Sequence, residues 1–170
     1  VNAYAGLLAR ELGMPARFIE DISFMAQLHD VGKIHVDSAI LRKPGPLTPA
    51  EWEIMKTHTI EGAIIIGDAP RLAMGRAIAL THHERWDGSG YPAGLRGGEI
   101  PIEGRITAVA DVYDAVRNRR AYKAAQDHGT AVHAILAGDP KFAHDGFDPR
   151  VKEAFVHLEK QFSELYDRLK

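Results

Sequence analysis

Residues Gly104–Val116 read GRITAVADVYDAV. The run is apolar enough for a buried helix, yet it carries a carboxylate, Asp111, deep in its apolar part. An unpaired carboxylate there costs several kcal/mol even after the surroundings relax. Metal coordination removes that penalty; so does capping a neighbouring helix or pairing with Arg105. Spacing alone leaves these readings open.

Working outward, the pattern stays helical. Toward the C-terminus, Thr130–Leu136 reads as a short helix. From Pro149 to Leu169, Val151, Phe155, Leu158, Phe162, Leu165 and Leu169 recur every three to four residues, the spacing of one helix face. That stripe either closes the core or joins two copies as a homodimer, and core closure is the expectation because helix stripes usually face their own domain. Toward the N-terminus, Val1–Gly13 and Pro15–Asp30 read as helices. Thr48, Pro49 and Glu51 make a helix start with a capping box, and that helix should carry Trp52, Met55 and His58. Helices over Ile60–Ile66 and Pro70–Glu84 follow, then a loop over Arg85–Glu103 with Gly88, Gly90, Gly94, Gly97 and Gly98. No period-two pattern survives, so the class is all-α.

The chain has 170 residues and a formal net charge of −2, which suits one domain and argues against a protein built to hold long nucleic acids. It has no cysteine, so any metal must use nitrogen and oxygen ligands. No apolar run approaches the ~20 residues of a membrane span. Position 1 is Val, and the expectation is a domain over residues 1–170 trimmed at its N-terminus from a longer signalling protein.

Nine histidines is a high count for this length. His29 and Asp30 are adjacent at the end of an apolar helix, in AQLHDVGK; His82 and His83 form a second adjacent pair at another helix end. Neighbouring helical residues point about 100° apart, so such a pair touches one metal from two sides or lets a carboxylate bridge to a second. His58, in KTHTIEG, adds an imidazole. Each also has a bland reading as a hydrogen-bonded surface or core residue. His35, His128, His133, His144 and His157 stay with that bland reading. Lys33 either places an ammonium beside a bound phosphate or is solvated, and the cations of RNRRAYK, Arg117–Lys123, form either a phosphate clamp or a solvated face.

The ordered set HDVGK, KTH, HHERWDGSGYP, VADVYDAV and RRAYK resembles the HD-GYP family, the bacterial cyclic di-GMP phosphodiesterases within the HD metal-dependent phosphohydrolases. The likeness runs from about Val1 to Phe155. It implies an all-α, HD-type helical bundle core with additional C-terminal helices, in the cytoplasm. It implies that His29, Asp30, His58, His82, His83 and Asp111 bind two or three divalent metal ions, iron or manganese. It makes Lys33 and Asp30 catalytic, with Lys33 on the scissile phosphate. Gly90, Tyr91 and Pro92 match positions for substrate and for contacts with diguanylate cyclase (GGDEF) proteins, and Arg120 and Lys123 match positions that hold the dinucleotide. The reaction implied is metal-assisted hydrolysis of cyclic di-GMP to the linear dinucleotide or GMP, under an upstream sensory or receiver domain. Two alternatives accompany it: a cyclic di-GMP sensor or interaction module with little turnover, and an HD enzyme for another cyclic dinucleotide such as cyclic GMP-AMP.

The chain departs from the family at identifiable places. Members carry a further His, and in some a Glu, on the helix before the HD pair, whereas no His or acidic residue occurs between Val1 and Arg10. That ligand is expected either upstream of Val1 or nowhere. His35, Arg117, Asn118 and Ala121 also differ from the usual residues, without removing a chemical group from the site.

Overall fold

Helix α1 (Asn2–Glu11) stops where Gly13 takes a left-handed φ of 68°, and α2 (Ala16–Met25) starts behind Pro15. After a 3-10 segment, Ala26–His35, come α3 (Ser38–Leu41), α4 (Pro49–Lys56), α5 (His58–Ile66), α6 (Ala73–Thr81), α7 (Ile102–Arg117), α8 (His128–His133) and α9 (Pro149–Leu169). This computed structural model describes residues 1–118, 126–138 and 146–169, and no strand occurs among them. None of the described helices is long and apolar enough to cross a membrane.

Two groups of elements meet at α7. One is an aromatic core: Tyr4 of α1 stacks on Phe162 of α9 with ring centroids 4.7 Å apart, and Tyr113 of α7 meets Phe162 edge-on at 4.9 Å. Leu8, Ile106, Val109, Val151 and Phe155 fill the space around them. The apolar stripe of α9 is thus buried in its own fold, as core closure requires; at its end Leu169 turns outward. The other group is α5, α6 and the 3-10 segment, packed on one another, with α6 also against α7.

Two expectations need correction. The second helix ends at Met25 rather than Asp30, so the HD pair lies in the 3-10 segment. The reason is a close crossing. A Cβ at Gly32 would sit 2.0 Å from the His58 carbonyl oxygen and 2.4 Å from the Gly62 amide nitrogen. Backbone meets backbone there, and contact with α5 holds the segment in a winding that rarely exceeds three or four residues. Likewise His58 opens α5 instead of riding on α4. The capping box of Thr48 and Glu51, with Pro49 in the first turn, is formed as read.

Candidate metal centre

Four side chains, Asp30, His58, His82 and His83, each offer a ligand atom within 4.8 Å of the others. The fold brings them in from three places: Asp30 from the 3-10 segment, His58 from the first turn of α5, and the His pair from the end of α6. The Gly32–α5 crossing sets the first two together. His58 Nε2 lies 3.5 Å from Asp30 Oδ1 and 3.5 Å from His82 Nε2, and His82 Nε2 lies 3.9 Å from Asp30 Oδ1.

The other oxygen of Asp30 faces a second group. Its Oδ2 lies 3.4 Å from His29 Nε2, and His29 Nε2 lies 3.5 Å from Asp111 Oδ1. Asp111 therefore meets His29; Arg105 pairs instead with the buried Asp148, at 3.0 Å. Lys33 donates to Asp30 Oδ2, a contact that 3-10 winding favours because residues three apart eclipse each other. Asp30 is a shared carboxylate between a His58–His82–His83 group and a His29–Asp111 group.

The second nitrogen of three of these rings is engaged with backbone. His29 Nδ1 meets the Ala26 carbonyl at 2.7 Å, His58 Nδ1 that of Met55 at 2.6 Å, and His82 Nδ1 those of Ile78 and Ala79 at 3.0 and 3.1 Å. A carbonyl only accepts, so each Nδ1 carries the proton. The lone pairs of His58 and His82 are left at Nε2, aimed inward, the arrangement that metal-binding imidazoles adopt. Asp30 Oδ1 is buried without a hydrogen-bond partner, although such an orphan is costly. A divalent cation satisfies all of these atoms at once, and the donor set fits one.

The electrostatics agree. Burial, and then the charges of neighbouring imidazoles, push His82 down to about 4. Burial and the adjacent His82 hold His83 well below its usual range. Burial lowers His58 as well, against the pull of the Met55 carbonyl and the Asp30 carboxylate. These three rings are neutral at pH 7. His29 behaves oppositely: burial lowers it, but hydrogen bonds to Asp111 and Asp30 outweigh burial and bring it up to about 10. Burial raises both carboxyls, and the His29 hydrogen bond, joined at Asp30 by the Lys33 charge, reverses this and holds them well below the usual carboxylate range. Without a metal, the protonated His29 and the Lys33 ammonium together face the two carboxylates.

Beside the cluster, Tyr91 lies nearly parallel to His83, 4.8 Å between centroids. Its loop is anchored by a residue that sequence reading passed over. Glu84, almost fully buried, accepts from the Ala93 amide at 2.8 Å and the Leu95 amide at 3.0 Å. The signal was a carboxylate directly after the His pair. Gly90 closes the loop back onto its base, since a Cβ there would sit 2.3 Å from the Arg85 nitrogen. Pro92 follows at the half-buried turn.

Of the remaining expectations, Arg120, Lys123, Ala121 and His144 lie outside the described residues. His35 pairs with Glu61 at 2.8 Å, His157 with Glu11 at 3.0 Å, and His128 with the Tyr113 hydroxyl at 2.9 Å. His133 is exposed on α8.

A family model described as HD domain matches residues 1–151. The chain is 49% identical over 172 residues to a cyclic di-GMP phosphodiesterase of Thermotoga maritima, a match covering all of this chain and 46% of that protein. It is 46% identical over 125 residues to a 3'3'-cGAMP-specific phosphodiesterase 2 of Vibrio cholerae, covering 72% of this chain and 24% of that one. The chain thus spans half or less of the length of these relatives. Among solved structures, the HDG"Y"P protein Bd1817 of Bdellovibrio bacteriovorus superposes with a TM-score of 0.70 at 19% identity, over 98% of this chain and 51% of that chain. That likeness is one of fold.

Proposed function

The chain belongs to the HD domain family, and from that premise we propose that it is a metal-dependent phosphodiesterase of the HD-GYP branch, opening cyclic di-GMP. The observation that carries the reading is the buried, unpartnered Oδ1 of Asp30 facing the Nε2 atoms of His58 and His82. Asp30, with the imidazoles and the carboxylate around it, would hold two or three divalent ions, iron or manganese. His58, His82 and His83 serve one side of it, and His29 and Asp111 the other.

When bound, the metal supplies an activated water and positive charge opposite the phosphoryl oxygens. The chain's own residues do the rest. Lys33, held at Asp30 Oδ2, places an ammonium where charge accumulates on the phosphate. The neutral imidazoles keep their Nε2 atoms free of protons at pH 7. Tyr91, with Gly90 and Pro92 shaping its turn, lies on His83 and forms a wall of the substrate site beside the cluster. Arg120 and Lys123, by their match to the family positions, hold the dinucleotide, which leaves as the linear dinucleotide or, after a second cut, as GMP.

The same reading takes residues 1–170 as one cytoplasmic domain under an upstream sensory or receiver domain, with the Gly90–Pro92 loop facing GGDEF partners. It leaves homodimer formation to surfaces other than the buried stripe of α9. A second substrate, 3'3'-cGAMP, is favoured by the Vibrio cholerae relative's name. Metal-loaded protein should hydrolyse cyclic di-GMP, and Asp30→Ala should abolish this. Turnover indifferent to that substitution defeats the assignment. Faster hydrolysis of 3'3'-cGAMP in a parallel assay selects the second substrate, and tight binding of cyclic di-GMP with no turnover under iron or manganese selects a sensor.

A further inference from the structure

Trp52 is a large aromatic that the fold leaves 46% exposed, on α4, a helix that contributes no buried residue. Its position is specific. The indole lies 6.0 Å from the Tyr91 ring at 82°, and Tyr91 lies on His83, so Trp52 stands two ring contacts from the cluster. Lys56, one turn further along α4, holds its ammonium 5.9 Å from the same Tyr91 ring and 2.8 Å from Glu53. The helix is a firm platform: the Thr48–Glu51 capping box fixes its start, Lys43 donates to Glu51 at 2.6 Å, and its end runs through Thr57 straight into His58.

We propose that Trp52 determines substrate specificity by stacking a nucleobase of the phosphodiester held at the cluster. The inference rests on the nucleotide reading above and deepens it. Trp52 and Tyr91 meet nearly at right angles, and the exposed part of the indole, 46% of the residue, is the surface offered to a third planar ring. Base–aromatic stacking tolerates any base because every base has a π-face. Trp52 therefore selects nucleotide diesters over aliphatic ones, and Lys56 adds positive charge to the same corner. Because α4 continues into a ligand-bearing helix, the stacking face and the scissile phosphate are held in one frame.

The test uses metal-loaded protein. Trp52→Ala should raise KM for cyclic di-GMP at least about fivefold, the low end of what one stacked base is worth, with kcat and bound metal within about twofold of wild type. Trp52→Phe, which keeps a ring, should stay close to the wild-type KM. An unchanged KM in Trp52→Ala, or a loss of kcat together with bound metal, overturns the proposal. A binding readout separates this from the enzymatic reading. The chain has two tryptophans, so in Trp86→Phe the emission comes from Trp52 alone, and GMP should quench it saturably. Should Trp86→Phe fail to fold, the difference in quenching between wild type and Trp52→Phe reports on the same face. Absence of that quenching overturns the stack; quenching without hydrolysis of any cyclic dinucleotide supports the stack and defeats the phosphodiesterase.

Discussion

His29 and His82 are both buried imidazoles on the same carboxylate, and their environments drive them to opposite charge states. His82 faces other imidazoles and falls to about 4; His29 faces two carboxylates and rises to about 10. Of these imidazoles His29 is therefore the cationic one at pH 7, and a metal binding to its Nε2 must displace the proton there. Iron(II) or manganese(II) added to stripped protein at pH 7 should release close to one proton per site from this ring, read by calorimetry in two buffers of different ionisation enthalpy. Identical heats in the two buffers would show that His29 is not a ligand. At this scale the sequence was readable where chemistry is local: adjacent His–Asp and His–His pairs, and a carboxylate in an apolar helix, announced themselves. The partner of Asp111 was not readable, because Arg105 on the same helix and His29, 82 residues away, are equally good partners on paper. Only the packing of α7 near the 3-10 segment decides between them.

At the scale of elements, the capping box and the stripe of α9 were legible because their causes lie within a few residues. The ten-residue 3-10 segment was not. Its apolar spacing over so short a run suits a period of 3.0 as well as 3.6, and its cause is the approach of α5 at Gly32, a tertiary event. The loop after α6 raises the same issue. Its glycines marked a turn, but its anchor is the pair of hydrogen bonds that Glu84 accepts from Ala93 and Leu95. Bonds to a charged acceptor are worth about 1.5–3 kcal/mol each. Glu84→Gln replaces one acceptor oxygen with a donor that faces an amide N–H. It should destabilise the protein by about 2–4 kcal/mol, lowering Tm by roughly 4–16 °C for a chain of this size, with faster amide exchange at Ala93 and Leu95. Unaltered exchange at these two amides would refute the anchor.

For the whole molecule, the aromatic core of α1, α7 and α9 is built from residues other than those proposed to hold metal, so removing metal should lower stability without dissolving the fold. The pH dependence of the stripped protein then follows from the cluster. His82 is ordinarily near 6.5 and about 4 when folded, with His58 and His83 shifted the same way. Between about 6.5 and 4 the unfolded chain binds protons that the folded one refuses, so stability falls as pH is lowered through that window. His29, raised to about 10, contributes stability that is fully present below 6.5 and is lost as pH rises from about 6.5 to 10. Stripped protein should therefore show a maximum in Tm near pH 6.5–7, declining on both sides. Bound metal stabilises the folded state by mass action and displaces the His29 proton, so the decline on the alkaline side should flatten when metal is restored. Tm measured from pH 5 to 9, with and without manganese, checks both limbs. An alkaline limb that is the same in the two series would mean that His29 keeps its proton, and the His29–Asp111 half of the site would then have to be given up.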